Sequence, residues 1–463
     1  MPHAPTIDTG NTAWLLVSSA LVLLMTPGLA LFYGGLNRSK GVLNMMMMSF
    51  SAMGLVSILW LYYGFSVAFG DDRNGLWGDP GQYPGTKTFL AETDLWGETG
   101  IPLYVFMAFQ MMFAIITVAL VSGAVSDRAR FAGWLLFAFG WVTLVYFPVA
   151  HLVWGGGFIG ATLGALDFAG GTAVHINAGA AALALALVLG KRVGWPREGM
   201  KPHNVPMVAL GAGLLWFGWF GFNAGSELTV DSTTGLAFLN TQVAAAAAIL
   251  GWVVVEWLRN GRPTLVGASS GAVAGLVAIT PACAFITPWA AVLLGLVAGA
   301  ACALAVGLKY RFGYDDSLDV VGVHFVGGWI GCLWIGLFGT GTVSSLVVDE
   351  GLFYGGGAKQ LGVQALSALI VSAFSFVVAF TLALLIERTL GFRIQARAEV
   401  EGIDLAEHAE SGYDLSPTSG GSGSTAFATA VDGAPGGPSA APAVDVEASV
   451  APPAAPASEP VAG

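Results

Sequence analysis

The chain has 463 residues, of which 55% are hydrophobic and only 10% are Asp, Glu, Lys or Arg. Soluble domains contain about a quarter of such charged residues, so this composition excludes an ordinary soluble protein and indicates a polytopic membrane protein. The formal net charge of −11 does not alter this conclusion, because residues 388–463 alone hold ten acidic and only three basic residues.

Long apolar runs recur along the chain, and many reach the roughly 20 residues that a helix needs to cross a bilayer. Residues 1–11 have no basic region, and the run after them is too long for a signal peptide, so we expect the first span to stay in the chain. The hydrophobic pattern predicts an all-α polytopic protein with eleven transmembrane helices, over residues 12–36, 42–69, 101–126, 131–149, 171–190, 205–224, 237–258, 264–282, 288–308, 320–340 and 361–386.

Lys and Arg are distributed unevenly between the predicted loops. The loops after spans one, three, five, seven and nine, together with the C-terminal tail, hold 15 of the 18 basic residues. Cytoplasmic loops carry such an excess of positive charge. We therefore expect a multi-pass protein of the cytoplasmic membrane, with an extracellular N-terminus and a cytoplasmic C-terminus.

This topology divides the chain into four parts. An extracellular N-terminus (1–11) precedes the eleven-helix domain (12–387), which is followed by a cytoplasmic tail (388–414) and an extension (415–463). The extension is rich in Ala, Pro, Ser and Gly and has no Lys or Arg. Such a composition cannot bury a core, so we expect this extension to be disordered.

Ionisable residues in or beside the predicted spans are few, and none of those inside a span is Lys or Arg. Because such a group is costly at membrane depth, each is a candidate functional residue. The candidates are Asp167, His175, Glu256, Asp319 and His324. We expect Glu256 to reach the cytoplasmic interface and Asp319 to cap its helix.

The two histidines lie in related segments, GGTAVHINAG for His175 and DVVGVHFVGG for His324. They belong to spans five and ten, which close two successive sets of five helices. Sets with an odd number of helices lie in opposite orientations, as in the inverted repeats of many transporters. We therefore expect an inverted repeat of spans 1–5 and 6–10, with both histidines at one central site. A packing role explains one such histidine equally well, but two in equivalent helices favour a function.

Two buried imidazoles are expected to be neutral, because burial disfavours the charged form. Each then offers one N–H donor and one acceptor nitrogen. Such a pair can share a hydrogen bond, bind a small guest with N–H bonds and a lone pair such as ammonia, and relay a proton. A metal site is a poor alternative, because two imidazoles need further ligands and Cys283, Cys302 and Cys332 have no metal-ligand spacing. We expect no metal and no cofactor.

Aromatic residues accumulate near the predicted outer ends of the spans. The segment YVFMAFQMMF places Phe109 and Phe113 one helical turn apart. Trp154 lies outside span five, and Phe222 and Ser226 lie at the outer end of span six. An aromatic face attracts a cation, and a hydroxyl can accept an N–H bond, although packing explains any one of these residues equally well.

Several segments resemble the ammonium transporter (Amt/Mep/Rh) family, the bacterial relatives of the Rhesus proteins. They are FYGGLNRSKGVLN, PVAHLVWGGG, LDFAGGTAVHINAG, GWFGFNAGS and DVVGVHFVGG. The resemblance covers about residues 12–414 and implies a homotrimer of eleven-helix protomers, each with its own narrow hydrophobic pore. By this resemblance His175 and His324 are twin pore histidines, and Asp167 shapes the outer binding site and contacts the cation only indirectly.

The resemblance also implies roles for the aromatic residues. Phe113, Trp154 and Ser226 correspond to the outer ammonium-recruitment site. Phe113 and Phe222 correspond to a stacked gate below that site, and Phe109 belongs to this gate group, beside the outer mouth of the pore.

The segment RIQARAEVEGIDLAEHAESGYD resembles the cytoplasmic tail through which family members meet PII signal proteins. A PII protein is therefore an expected partner, together with the lipid bilayer, further copies of the chain and ammonium or ammonia as substrate; nucleic acid is not. The extension after about residue 415 departs from the shorter tails of the family.

These observations predict an ammonium transporter with a twin-histidine relay. One alternative is a passive ammonia gas channel, which has the same fold but moves no net charge. A second is an ammonium sensor whose pore conducts little. An intramembrane enzyme is disfavoured, because no hydrolase or metalloprotease motif such as H-E-x-x-H occurs.

Overall fold

The computed structural model describes residues 6–83, 85 and 94–413. The predicted disordered extension, residues 415–463, lies outside the described residues, as does the start of the N-terminus, residues 1–5.

The described residues contain eleven apolar helices at the places of the eleven predicted spans. Ten have the length and composition of membrane spans, whereas α8 has only 15 residues but is buried along most of its length. In chain order the helices are α1 Thr9–Leu36, α2 Ser39–Phe69, α3 Leu103–Val125, α4 Phe131–Thr162, α5 Gly171–Leu189, α6 Val205–Glu227, α7 Ser232–Asn260, α8 Leu265–Ile279, α9 Pro288–Phe312, α10 Val321–Phe338 and α11 Lys359–Thr389.

Helix α7 begins five residues before its predicted start at residue 237. The carboxylate of Asp231 caps this helix by accepting hydrogen bonds from the backbone N–H groups of Thr233 and Thr234, at 2.8 and 3.1 Å. Because the first turn of α7 is polar, hydrophobicity alone does not predict where this helix begins. The capping residue Asp231 marks that start.

Helix α4 continues beyond its predicted end at residue 149, and its regular part ends at Trp154. A wide π-helical turn at Val142–Tyr146, in which the N–H of Phe147 bonds to the carbonyl of Val142, carries the helix past Pro148. Trp154 therefore lies on the last regular turn of α4.

The two halves of the bundle, α1–α5 and α6–α10, meet along equivalent helices. The first helices of the halves, α1 and α6, pack along each other, and the fifth helices, α5 and α10, pack together in the middle of the bundle. At the crossing of α1 and α6 a Cβ on Gly211 would lie 2.3 Å from the backbone nitrogen of Phe32, so the helices approach this closely only because residue 211 is glycine. Helix α11 packs across α5 and α10 and joins the halves from outside.

The connection between α2 and α3 contains two short antiparallel hairpins that the sequence analysis did not predict. Strand β1 (Asp72–Arg73) pairs with β2 (Trp77–Gly78), and β3 (Leu95–Trp96) pairs with β4 (Ile101–Pro102). We call this side of the bundle the hairpin end. Two-residue strands lie below the length at which hydrophobic alternation is detectable.

The described part of the tail folds against the opposite side of the bundle, which we call the tail end. It contains two short helices, α12 (Ala396–Glu401) and α13 (Ile403–His408). The Asp404 carboxylate accepts hydrogen bonds from the backbone N–H groups of Leu43 and Asn44, at 3.0 and 2.8 Å, near the start of α2. The Glu399 carboxylate is buried and accepts from the N–H of Val193 at 2.6 Å. The tail therefore supplies hydrogen-bond acceptors to the helix ends beneath it.

Buried ion pairs hold the loops together at the tail end. The Arg192 guanidinium donates two hydrogen bonds to the Asp315 carboxylate, both at 2.9 Å, and the Arg128 guanidinium lies 4.0 Å from the same carboxylate. Burial alone would raise the pKa of Asp315, but the hydrogen bonds from Arg192 and the nearby Arg128 charge hold it below its ordinary value. These loops are thus joined by charges that have no access to water.

Replacement of Asp315 by Ala should strongly destabilise the protein, because the buried Arg128 guanidinium loses its ion-pair partner and the buried Arg192 guanidinium keeps only Asp127, at 3.5 Å. Removal of one partner of a buried ion pair typically costs about 3–5 kcal/mol. Asp349→Ala is the matched control, because the Asp349–Lys359 pair at the hairpin end is exposed and such pairs contribute about 0–1 kcal/mol. Thermal unfolding in mild detergent checks this, and equal losses of Tm in the two variants would contradict it.

Candidate functional site

The two predicted central histidines meet in the middle of the bundle. Nδ1 of His175 on α5 lies 3.3 Å from Nδ1 of His324 on α10, and one nitrogen donates to the other according to the tautomer. Their ring centroids are 5.3 Å apart with planes at 26°, and the residues are 1% and 3% exposed. The structure therefore brings the pair together out of contact with water.

Each histidine lies on a wide π-helical turn at the start of its helix, Gly171–Ile176 in α5 and Val321–Phe325 in α10. An aspartate eight residues earlier caps each helix. Asp167 accepts backbone hydrogen bonds from four consecutive residues at 2.6 to 3.1 Å and a further bond from the Thr172 hydroxyl. Asp316 accepts from the backbone N–H groups of Val320 and Val321 at 3.2 and 2.8 Å. The caps fix the depth at which both helices begin.

Two other polar candidates lie away from the histidines. Asp319 does not cap α10 with its side chain: its backbone is left-handed (φ +65°) and its carboxylate pairs with the Lys309 ammonium at 2.6 Å. Asp316 supplies the cap that was expected from Asp319. Asp316 lies eight residues before His324, just as Asp167 lies eight residues before His175. This equal spacing is the signal that could have identified Asp316. Glu256 accepts a hydrogen bond from the Thr264 backbone N–H at 2.8 Å in the loop after α7.

A narrow cavity of about 10 Å³ lies beside the histidine pair, which is room for about one water-sized molecule. Its walls are almost wholly apolar. His175 is one of the lining residues, and its Nε2 has no hydrogen-bond partner. The other lining side chains come from α1, α3, α5, α6, α8 and α10: Met25, Leu29, Phe32, Ile116, Leu120, Val174, Leu215, Trp219, Phe222, Val273 and His324.

Trp219 is a lining residue that the sequence analysis missed. Its ring stacks on the His175 imidazole, with centroids 5.4 Å apart and planes at 23°. Its indole N–H donates to the Thr280 hydroxyl at 2.8 Å, which fixes the ring. Trp219 lies three residues before Phe222, so their shared helix face was the available signal.

The predicted gate residues form a ladder of rings between the histidines and the hairpin end. The rings of Phe113 and Phe222 are 4.2 Å apart at 31°. Phe222 lies 6.2 Å from His175, and Phe113 lies 6.1 Å from Trp154. Phe109 contacts Phe113 edge-on at 4.9 Å, beside the ladder. Phe109, Phe113 and Phe222 are all buried.

Above the ladder lies a crevice of about 170 Å³, which we call the vestibule. It contains all three predicted recruitment residues, Phe113, Trp154 and Ser226. The indole N–H of Trp154 donates to the backbone carbonyl of Asp167 at 2.8 Å, and the Ser226 hydroxyl donates to the carbonyl of Phe222 at 2.8 Å. The hydroxyl hydrogen of Ser226 is therefore committed, and its lone pairs remain available to an N–H donor.

The vestibule also includes residues that the sequence analysis did not single out. Trp96 stacks on Phe106, with ring centroids 3.7 Å apart, and Gln110 presents a buried side-chain carbonyl without a partner. Phe106, Gln110 and Phe113 are spaced at i, i+4 and i+7, the spacing of one helix face. Among the residues that the structure describes, no group of three metal-binding side chains occurs.

Several known proteins are similar to this chain in sequence and in structure. The model of the Ammonium Transporter Family matches residues 13–413. An ammonium transporter of Mycobacterium tuberculosis (strain ATCC 25618 / H37Rv) is 55% identical over 89% of this chain and 92% of its own length. The crystal structure of Saccharomyces cerevisiae Mep2 is similar with a TM-score of 0.78 and 36% identity, over 85% of this chain and 89% of that chain. A structure described as a sensor Amt protein has a TM-score of 0.79 and 30% identity, over 86% and 98%.

Asp167→Ala should destabilise the start of α5, because it leaves four buried backbone N–H groups without their acceptor. Each unsatisfied buried donor costs roughly 1–3 kcal/mol. The control is Asp231→Ala at the same end, which removes a more exposed cap worth about 1 kcal/mol. Thermal unfolding followed by size-exclusion chromatography should show the larger loss for Asp167→Ala and an intermediate loss for Asp167→Asn. A loss for Asp167→Ala no greater than that for Asp231→Ala would overturn this assignment.

Proposed function

The chain belongs to the ammonium transporter family, and we propose that it carries ammonium across the cell membrane as ammonia plus a proton, through a hydrophobic pore with a twin-histidine relay. In this proposal the hairpin end faces outward and the tail end faces the cytoplasm, because the tail end carries most of the basic loop residues. The protein is a transporter and not an enzyme.

The vestibule supports capture of a cation from outside. The π faces of Phe113 and Trp154 attract a positive charge, and the free lone pairs of the Ser226 hydroxyl accept an N–H bond. Ammonium presents four N–H bonds and no fixed hydration geometry, so it suits a site of two rings and one acceptor. Asp167 acts on the site indirectly, because its carboxylate is occupied by the backbone of α5.

The ring ladder supports selection of ammonium over hydrated ions. Phe113 and Phe222 fill the passage, so a guest enters the cavity only when the rings move aside. A hydrated ion would have to lose its water there, and the lining of the cavity has no ring of carbonyl groups to replace the hydration shell of K⁺. Ammonium can escape this cost because it can leave a proton behind and continue as neutral ammonia.

The observation that carries the proposal is the Nδ1–Nδ1 contact of 3.3 Å. If Nδ1 of His175 carries the hydrogen, its Nε2 is a bare acceptor, and Nε2 of His324 carries a hydrogen. A proton from ammonium then bonds to Nε2 of His175, the hydrogen on its Nδ1 passes to Nδ1 of His324, and the hydrogen on Nε2 of His324 leaves toward the tail end. Ammonia follows through the apolar cavity, so one positive charge crosses for each ammonia.

In this proposal the assembly and the regulation of the protein are those of its family. The protein forms a homotrimer in which each protomer has its own pore. The described tail residues, folded over the helix ends at the tail end, offer a surface to a PII signal protein. A sensor role is the second candidate, and the likeness to the sensor Amt protein favours it, with 30% identity over 98% of that chain.

Current recordings from purified protein in liposomes test this function. We expect a saturable inward current under an ammonium gradient and none under an equal K⁺ gradient, because only ammonium can divide into a neutral molecule and a proton. Protein-free liposomes are the control. Ammonia flux without current would establish a gas channel, and neither flux nor current from correctly folded protein would favour the sensor.

A further inference from the structure

Glu227 ends α6 and directly follows Ser226, on a tight turn at Gly225–Glu227. Its side chain is half-buried. Across residues 6–83, 85 and 94–413 its carboxylate has neither a hydrogen-bond donor nor a cation as a partner. A carboxylate withdrawn from water without a partner costs free energy, so this position calls for a positive ligand.

The Glu227 side chain lines a crevice of about 470 Å³ that opens beside the vestibule. This crevice and the vestibule share Trp154, Phe168 and Ser226 as lining residues. Glu227 lines the crevice but not the vestibule, and Phe113 lines the vestibule but not the crevice. The acid and the gate ring therefore lie on two adjoining spaces that have Trp154 and Ser226 in common.

Other charges near this approach are already committed. Asp167, the other acid that lines the crevice, accepts bonds from the start of α5, and Asp231 caps α7. The described basic residues of the hairpin end are also paired: Arg73 with Asp79, and Lys359 with Asp349 at 2.7 Å. No described cation of this end neutralises Glu227, so its charge is available to an incoming ion.

We propose that Glu227 is a substrate-binding residue that draws ammonium into the outer crevice and delivers it to the site of Phe113, Trp154 and Ser226. Its carboxylate accepts charge-assisted N–H bonds from ammonium, while the low-dielectric aromatic wall beside it focuses the negative potential on the entrance. The ion then leaves the carboxylate and binds to the rings and the Ser226 hydroxyl. This inference rests on the proposed function and identifies a further residue of the same uptake path.

Glu227→Gln tests the proposal, because the amide keeps the shape of the side chain and removes its charge. In liposome current recordings we expect the KM for ammonium to rise roughly three- to tenfold, with the maximal current within about twofold of the wild type. The wild-type KM should also rise with ionic strength, and this dependence should weaken in Glu227→Gln, because salt screens the attraction. Glu227→Asp should retain much of the low KM.

Glu98→Gln is the matched control, because it removes one negative charge from an exposed turn at the same end of the bundle. We expect its KM and salt dependence to equal those of the wild type. An unchanged KM in Glu227→Gln, or an equal rise in both variants, would overturn the proposal. A lower maximal current with unchanged KM in Glu227→Gln would also overturn it, because the residue would then act on the pore and not on capture. A silent wild type would instead refute the proposed function, and this inference with it.

Discussion

The contact between Nδ1 of His175 and Nδ1 of His324 constrains most of the surrounding structure. Two imidazoles meet at 3.3 Å only if α5 and α10 start at compatible depths and approach closely. The caps at Asp167 and Asp316 set the depths from opposite ends of the bundle. Close approach depends on Gly179, where a Cβ would lie 2.7 Å from the backbone nitrogen of Phe325. The inverted arrangement of the halves brings two equivalent helices into this single contact.

Buried charges are kept away from the histidine contact. Buried ionic groups are concentrated at the tail end, where Arg128, Arg192 and Asp315 satisfy one another. The cavity beside the two imidazoles has apolar walls and no other ionisable lining residue. A permanent charge beside the histidines would favour one tautomer of the pair. The spatial separation is therefore what the proposed relay requires.

Much of this organisation could be predicted from the sequence, because membrane helices and their buried polar residues give strong one-dimensional signals. Eleven spans follow from hydrophobicity, and spans five and ten each contain a histidine that has no charged neighbour at membrane depth. The helix ends were less accessible, since the Asp231 cap and the wide turn before Pro148 depend on local hydrogen bonds that hydrophobicity does not report. The expected cap at Asp319 was wrong, because the carboxylate of Asp316 accepts the backbone hydrogen bonds at the start of α10 and that of Asp319 pairs with Lys309.

Other features depend on contacts between distant parts of the chain. Trp219 stacks on His175 from another helix, and the tail residue Asp404 caps α2 from the far end of the sequence. No local pattern could pair residues separated in this way. The unpartnered state of Glu227 is likewise visible only in three dimensions, because a sequence shows an acid but not whether a donor lies beside it.

If the two histidines act as one unit, as we propose, a double-mutant cycle on ammonium current will show it. His175→Ala, His324→Ala and the double variant are compared with the wild type, and His203→Ala is the control, because His203 bonds to the carbonyl of Asn37 and the hydroxyl of Tyr413 at the tail end. We expect a steep loss of current in each single variant, little further loss in the double variant and a normal current in the control, because groups that act as a unit are non-additive. Full current and selectivity in both single variants, or losses that multiply in the double variant, would show that the histidines do not act as a unit.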